Sequence, residues 1–353
     1  MRVGILTFHR AHNYGAVLQA YALMRACKKL GFDTSIIDYT PAYIDEQYCY
    51  FKVSNHLKTN LLRLYNLKGN IEKNKKFNAF QKEYMVLAPF HTSEEYDCLL
   101  YGSDQIWNPN IKHGFDKVYF GQHEIKVSRN VAYAASIGKS GFSEQESREF
   151  SDVVSNMDII SVREETACNV IRQYIDKKIE TVIDPTLLWS AQEWSEIAVC
   201  PKQDKRYILV YEVGKITETM RIAEELSKKT GIPIVEIAYN KTKKHYDHQI
   251  LNNVGPREFV GLIRDASYVV TSSFHGTAFS IIYHKDFYTV VHRAYGSRMV
   301  DLLKKLGLQD RLAEELPEDI QGIDYNVVDE RLKIEKEKAM NFIRKSVIGE
   351  RMI

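Results

Sequence analysis

The sequence predicts an α/β protein built from two doubly wound domains that face one another across a cleft. Three observations point there. Short β-branched apolar runs alternate with amphipathic helical stretches from the first residues onward. The alternation breaks off at a polar loop of about residues 190–205 and then starts afresh. A long charged helical stretch, Asp329 to Val347, follows the second series.

Arg2 to Phe8 reads as the first strand, Gly15 to Leu30 as a helix stopped by Gly31, and Thr34 to Asp38 as the second strand. This βαβ opening implies a parallel sheet. The loop His9 to Gly15 then lies at a strand's carboxyl end, the side on which such sheets bind ligands. Asp38 stands where dinucleotide-binding folds often place a ribose-binding acid, but the first turn lacks GxGxxG, which argues against NAD. From about Ile44 to Pro89 the composition shifts toward Lys, Asn, Tyr and Leu. Leu57, Leu61, Leu62, Leu64 and Leu67 suggest one helix and Glu72 to Tyr84 a second, together a helical insertion over the sheet with the character of a lid. Its Lys73, Lys75, Lys76 and Lys82 read as a solvated face.

Asp97 to Tyr101 returns to a buried strand, and Gly102 to Pro109 crowds hydroxyl, carboxylate, amide and indole groups into the loop after it. Asn130 to Ala135 is a strand, Ser143 to Met157 an amphipathic helix, and Ile159 to Val162 a strand ending at Arg163. Arg163 either serves a ligand or salt-bridges Glu164 or a neighbour, while Glu164 and Glu165 suit the dipole of the helix they open. Thr181 to Leu188 reads as the last strand of the first half, with Asp184-Pro185 inside it.

Beyond the boundary loop, Tyr207 to Val213 is a strand, Thr217 to Lys229 a helix stopped by Gly231, and Ile234 to Ala238 a strand. Arg257 to Asp265 is a helix with Pro256 near its start. The run Tyr268 to Thr271 reads as a buried strand, Ser272-Ser273 as a cap, and Ala278, Phe279, Ile281 and Ile282 as helical apolar positions. His275 and Gly276 fall in the strand-to-helix turn, where free backbone N–H groups favour anions. The alternative is an ordinary turn with a solvent-facing histidine. Phe287 to Val291 is a further strand. Ser297 to Leu306 is a helix with Arg298 in its first turn and Gly307 as its stop.

The 353 residues suit two domains, and 44% hydrophobic with 27% charged residues suit a substantial core. A net charge of +2 demands no nucleic-acid partner and at most a peripheral membrane contact. The cysteines Cys27, Cys49, Cys98, Cys168 and Cys200 are odd in number and far apart, so neither a disulfide framework nor a structural zinc is expected. The chain opens directly on a strand, leaving no room for a signal peptide, and no apolar run approaches the ~20 residues of a membrane span. A cytoplasmic location is the expectation. The 22 tyrosines and 15 phenylalanines suit sugar-stacking surfaces and a core equally.

Polar groups thus gather at carboxyl strand ends: His9, His12 and Asn13, then Asp104, Arg163 and His275, with Arg298 at a helix start. Two arginines, a histidine and a helix N-terminus make an anion site with a proton donor. No metal-ligand set, Gly-x-Ser-x-Gly or Walker A signature occurs. Chemistry alone reaches a transferase-like protein with an anionic ligand.

The stretch Asn13 to Leu23 resembles the opening motif of the polysaccharide pyruvyl transferase family. Gly102 to Pro109, Ser161 to Glu164, Asp184 to Trp189 and Thr271 to Thr277 follow in the order that family has them. The resemblance implies a GT-B-like fold: an acceptor-side Rossmann-like domain of residues 1–195 with the insertion at about 44–89, a second of residues 196–325, and a C-terminal helix of residues 326–353 packing back on the first. It implies transfer of a carboxyethylidene unit from phosphoenolpyruvate to two hydroxyls of a nucleotide- or lipid-linked sugar in cell-surface polysaccharide synthesis. No metal or other cofactor is implied. His275 matches the histidine thought to protonate the donor's methylene carbon, Arg163 an arginine assigned to its carboxylate or phosphate, and Arg298 stands near a basic position. Asn13, Gly15, Ser103, Ser273, Gly276 and Thr277 are the further substrate-binding candidates on these motifs. Some members carry an aspartate, a proposed base, where this chain has Ala16, so Asp104 and His12 become the candidate bases. A GT-B glycosyltransferase using a nucleotide sugar and a non-catalytic glycan- or anion-binding homologue remain the competing readings. Since His275 and Arg163 both sit at strand ends, neither is expected to be needed for folding.

Overall fold

A computed structural model describes the chain apart from residues 48–56, 113, 202–205, 215, 240–247, 292–295 and 351–353. Cys49, the Lys202–Lys205 run of the boundary loop and the Leu57 side chain lie outside the described residues.

Two parallel sheets carry the fold. The first contains β1 (Arg2–Leu6), β2 (Asp33–Asp38), β3 (Leu87–Pro89), β4 (Cys98–Tyr101), β5 (Asn130–Ala135), β6 (Ile159–Val162) and β7 (Ile179–Thr181), in the order β3-β2-β1-β4-β5-β6-β7. The second contains β8 (Ile208–Tyr211), β9 (Ile234–Ile237), β10 (Gln249–Leu251), β11 (Tyr268–Thr271) and β12 (Asp286–Thr289), in the order β10-β9-β8-β11-β12. Each order grows from its middle and reverses once, between β1 and β4 and between β8 and β11. Those two reversals are the places where an open α/β sheet leaves a crevice at its carboxyl edge.

The strands read as continuous apolar runs because both of their faces are covered. Val3, Ile5, Cys98 and Leu100 turn one way, into a core that also holds Leu209, Val235 and Val269 of the second sheet. Leu6, Leu99, Tyr101 and Ala132 turn the other way, into a separate cluster behind the first sheet. Period-two alternation therefore decides which residues glue the halves together. The helix Tyr325–Ile348 closes the structure. It starts against the second sheet, where Tyr325 Oη donates to Lys285 O at 2.6 Å, and ends on the first, where Arg129 donates to Val347 O at 2.8 Å. No described helix is long and apolar enough to cross a membrane.

Three expectations need correction. The Thr181–Leu188 stretch is no strand: pairing ends at Thr181, and Pro185 opens a 3-10 helix capped by Asp184. The two helices expected within the insertion are one, Leu57–Tyr84, and in place of a lid over the sheet it packs on helices of both halves. Phe77 and Phe80 pack on Tyr14 and Tyr21 of the helix Tyr14–Lys29. Asn66, Glu72 and Lys76 reach Asn252, Asn253 and Glu258 of the second half. This helix buries a single stripe of Asn66, Asn70, Lys73, Phe77, Phe80 and Gln81, and Lys73 falls within it. Only 3% of Lys73 is exposed, its ammonium lying over the rings of Tyr239 at 4.7 Å and Tyr14 at 5.2 Å.

Burial pushes the Lys73 ammonium down to about 8. A base depressed in the folded state binds fewer protons than the unfolded chain, so its unfavourable contribution fades as pH rises from 8 toward 10.4. Lys73→Met is therefore expected to raise the unfolding free energy at neutral pH by about 1–3 kcal/mol, an advantage that shrinks by pH 10. Urea melts of both proteins at the two pH values test this, and a less stable variant at neutral pH refutes it.

Candidate active site

The two sheet reversals face the same cavity, of about 530 Å³. Phe8, Ala11 and Asn13 line it from the segment after β1, and Asp104 and Gln105 from the loop after β4. Val213 and Ile216 come from the segment after β8, Ser272 to His275 from the turn after β11, and Arg298 and Met299 from the helix Ser297–Leu306. Parallel strands put all these segments at one edge, which is why residues far apart in sequence share one wall.

Ser273 caps the helix Phe274–Ile282 by accepting from Gly276 N at 3.3 Å. His275 thus stands in the helix's first turn and not in the turn before it, and it is buried, with 7% exposure. The reading as a solvent-facing histidine falls away. Its Nε2 lies 3.6 Å from Asp184 Oδ2 and has no hydrogen-bond partner. On its other edge the ring rests on Gly15, where an added Cβ would overlap Nδ1.

Asp184 is the hub beneath the cavity. Its Oδ2 accepts from Arg163 at 2.6 Å and Ser103 Oγ at 3.1 Å, and its Oδ1 accepts from Thr186 N and Oγ1 at 3.0 and 2.7 Å. Burial alone would raise this carboxyl, but His275, Arg163 and the Thr186 N–H hold it well below the usual carboxylate range. Sequence reasoning left Asp184 out of the site; the signal was an acid between an apolar run and a proline, inside a recognised motif.

Arg163 is fully enclosed. Besides Asp184 it approaches Asp104 at 3.6 Å and Glu164 at 3.9 Å, with the Phe274 ring 4.5 Å from its guanidinium carbon. Its main ion partner is thus Asp184 and not the adjacent glutamate, and its Nε and Nη2 make no hydrogen bond. Arg298 flanks the same ring at 5.9 Å and borders the cavity. Burial and the nearby Arg163 push Arg298 down to about 10, so it keeps its charge at neutral pH. Gln105, with its amide oxygen turned to the guanidinium, accepts from Arg298 at 3.0 and 3.1 Å. Burial raises Glu164 despite both arginines and the 2.6 Å bond donated by Ser136.

The remaining candidates divide. Asn13 caps the helix Tyr14–Lys29 and lines the cavity, as does Asp104 at a φ of 72°, a conformation aspartate tolerates. Ser103 and Thr277 are buried behind the wall, Ser103 holding Asp184 and Thr277 bonded to Ser273 O and Thr289. Gly276 packs against Thr271. His12 is not brought to the cavity. It turns toward the helix Leu57–Tyr84, its ring 5.3 Å from that of Phe77, and burial followed by Lys73 pushes it down to about 4. Of the two candidate bases, the structure puts only Asp104 at the cavity wall. Among the described residues no group of His, Cys, Asp and Glu is placed to hold a metal ion.

This ordered set of motifs, folded around one cavity, matches the family described as polysaccharide pyruvyl transferase over residues 13–293. The chain belongs to that family. Its fold is GT-B. It superposes on a putative UDP-N-acetylglucosamine 2-epimerase from Listeria monocytogenes with a TM-score of 0.52 at 13% identity, covering 99% of this chain and 97% of that one. The S. aureus MnaA–UDP structure gives a TM-score of 0.51 at 11% identity, with 99% and 97% coverage. The E. coli heptosyltransferase WaaC with ADP gives 0.41 at 11% identity, with 95% and 100% coverage. No protein of curated function matches the sequence significantly.

Gly15→Ala is expected to displace the His275 ring and lower turnover by about 10²-fold, since a misplacement near 1 Å can cost that much. Turnover measured beside a thermal melt separates this from unfolding; unchanged turnover refutes it.

Proposed function

We propose that this chain transfers a carboxyethylidene unit from phosphoenolpyruvate to two hydroxyls of a nucleotide- or lipid-linked sugar, forming a ketal. The observation that carries the reading is His275 at a helix start beside the cavity, with Arg298 in the wall and unpartnered Arg163 donors one layer below. In this reading His275 gives its proton to the donor's methylene carbon, making the adjacent carbon electrophilic. A sugar hydroxyl attacks that carbon and gives its proton to the now neutral His275, and the bond from that carbon to the phosphate oxygen breaks, releasing phosphate. The second hydroxyl then attacks the resulting oxocarbenium centre and closes the ring, losing its proton to a base at the cavity wall, for which Asp104 is the candidate. Arg298 meets the donor's anionic groups, and Arg163 acts through Asp184 and the Phe274 ring. Enclosure between two sheets keeps water from the intermediate. A nucleotide-linked acceptor fits the company of GT-B relatives, one of which was solved with UDP.

Incubation with phosphoenolpyruvate and a panel of nucleotide- and lipid-linked hexoses should release phosphate and add a carboxyethylidene mass to one of them. No product across the panel sinks the proposal. Ala16 lies in the cavity wall, where a carboxylate is absent, and this favours a second reading as a binding protein without turnover. Saturable phosphoenolpyruvate binding with no transfer would support that one, and consumption of a nucleotide sugar as donor would support a glycosyltransferase.

A further inference from the structure

We infer that Asp301 is a positioning residue: from the second half it reaches the first, and by that bond it holds Arg298 at the cavity wall. The helix that carries both, Ser297–Leu306, has Gly296 as its N-cap, which offers no side-chain bond to the first turn. Its apolar stripe, Met299, Leu302, Leu303 and Leu306, is buried in the core. At 100° per residue, positions 298, 301 and 305 share an arc of about 60° beside that stripe. Each of the three meets the first half. Arg298 donates to Gln105, Asp301 Oδ2 accepts from Glu165 N at 2.9 Å, and Lys305 Nζ donates to Thr181 Oγ1 at 3.4 Å.

The acceptor role falls to Asp301 because the receiving helix lacks an acceptor of its own. Glu164 is the N-cap of the helix Glu165–Ile171, yet its side chain makes no cap bond. That carboxylate is turned inward, accepting from Ser136 Oγ at 2.6 Å and standing 3.9 Å from Arg163. The Glu165 N–H is thus an orphan donor of a helix start, and Asp301 takes it from across the seam, where a carboxylate also suits the dipole. The Glu165 side chain is engaged with Thr181 Oγ1 at 2.8 Å. Glu165 lies two residues beyond Arg163 on a segment rooted in the first sheet, so the bond ties the Arg298 helix to the frame that holds Arg163. Such a tie is needed because both guanidinium groups approach the Phe274 ring, at 5.9 and 4.5 Å, and like charges kept so close require a fixed spacing. The Lys305 contact is longer, is shared with Glu335 at 3.5 Å, and lies two turns from Arg298, whereas Asp301 is within one. The inference rests on the reading that Arg298 meets the donor's anionic groups.

Calorimetry of the full chain with inorganic phosphate and with phosphoenolpyruvate provides the test. Arg298→Ala should weaken both about tenfold or more, the loss of a charge-assisted contact. Asp301→Ala should weaken both about fivefold or more, whereas Asp301→Asn, whose amide oxygen still accepts from Glu165 N, should stay within about twofold of the parent. In an Arg298→Ala background, Asp301→Ala should change anion affinity by less than about twofold while its effect on a thermal melt persists, since a residue that acts through Arg298 then has nothing left to position. If Asp301→Ala does not fold, Asp301→Ser, whose hydroxyl ends one bond short of the carboxylate, takes its place. The inference is overturned by an Asp301→Ala chain that binds as the parent does, by a loss that Asp301→Asn shares, by a loss undiminished in the Arg298→Ala background, or by a parent chain that binds neither anion. Anion binding that follows the expected pattern, with no transfer to any acceptor, would support it and overturn the carboxyethylidene reading alone.

Discussion

His275→Ala is expected to lower turnover by about 10²–10⁴-fold while leaving phosphoenolpyruvate affinity within a few-fold. A proton donor contributes mainly at the transition state, so its removal shows in kcat rather than in ground-state binding. The structure makes the substitution a clean one. The imidazole stands at a helix start, Ser273 and not His275 caps that helix, and removal of the ring uncovers Gly15 and takes the 3.6 Å contact from Asp184, which keeps Arg163, Ser103 and Thr186. Phosphate release with a working acceptor, paired with calorimetry for the donor, provides both readings. Near-normal turnover would remove His275 from the role of acid. A parallel collapse of donor affinity would make it a binding residue instead.

Arg163→Ala is expected to cost stability first, about 3–5 kcal/mol, because it leaves buried carboxylates without their cation. Asp184 has no exposed side-chain surface and Glu164 has 1%, so neither charge gains water when the guanidinium leaves. This reverses the expectation that a residue at a strand end is dispensable to folding. A urea melt should show the loss, and Arg163→Lys should recover part of it, since one ammonium can face Asp184 but cannot also span to Asp104. A loss below about 1 kcal/mol would show that Arg163 is not the counter-ion of this cluster. The same cluster fixes an acid dependence. Asp184 titrates lower in the folded than in the unfolded chain, so its contribution is present above about pH 4 and drains away as pH falls below that. Asp184→Asn should flatten that part of the stability profile.

Much of the architecture is legible because buried parallel strands leave unbroken apolar runs. Asn130 to Ala135 and Ser297 to Leu306 are found with the bounds the pattern suggests. β3 and β10 escape notice for a physical reason: each is a three-residue edge strand, one ending in proline, with no apolar alternation to mark it. The candidate site is half legible. Residues after strands gather at one edge by topology alone, which brings Asn13, Asp104 and His275 into view. Contacts between layers follow no such rule. Gly15 under His275 and Asp184 against Arg163 depend on how distant segments pack. His12 points the wrong way because helix Leu57–Tyr84 offers it Phe77 and two asparagines. Lys73 misleads for a related reason, since it falls in the one stripe that the helix buries, between Asn70 and Phe77, while its charged neighbours Lys75 and Lys82 stay exposed.

The return of the chain along Tyr325–Ile348 has a mechanical side. The polypeptide passes between the sheets twice, once beyond the helix Ala191–Ser195 and once along this terminal helix. Lys336 donating to Trp189 O at 3.3 Å fastens the terminal helix to the first half just before the other passage begins. Two covalent straps lying side by side allow rotation about the line that joins them and oppose twisting or sliding. Elsewhere along the seam the halves meet through Asn66 to Asn252, Glu72 to Asn253, Lys76 to Glu258, Tyr14 Oη to Val254 O, Glu165 N to Asp301, and Tyr14 stacked on Phe259. Widening the mouth of the cavity thus breaks these polar pairs, each contributing about 1 kcal/mol net, and parts the apolar core the halves share, while both β-ladders stay whole. The two halves are held against each other by packing as well as by polar pairs.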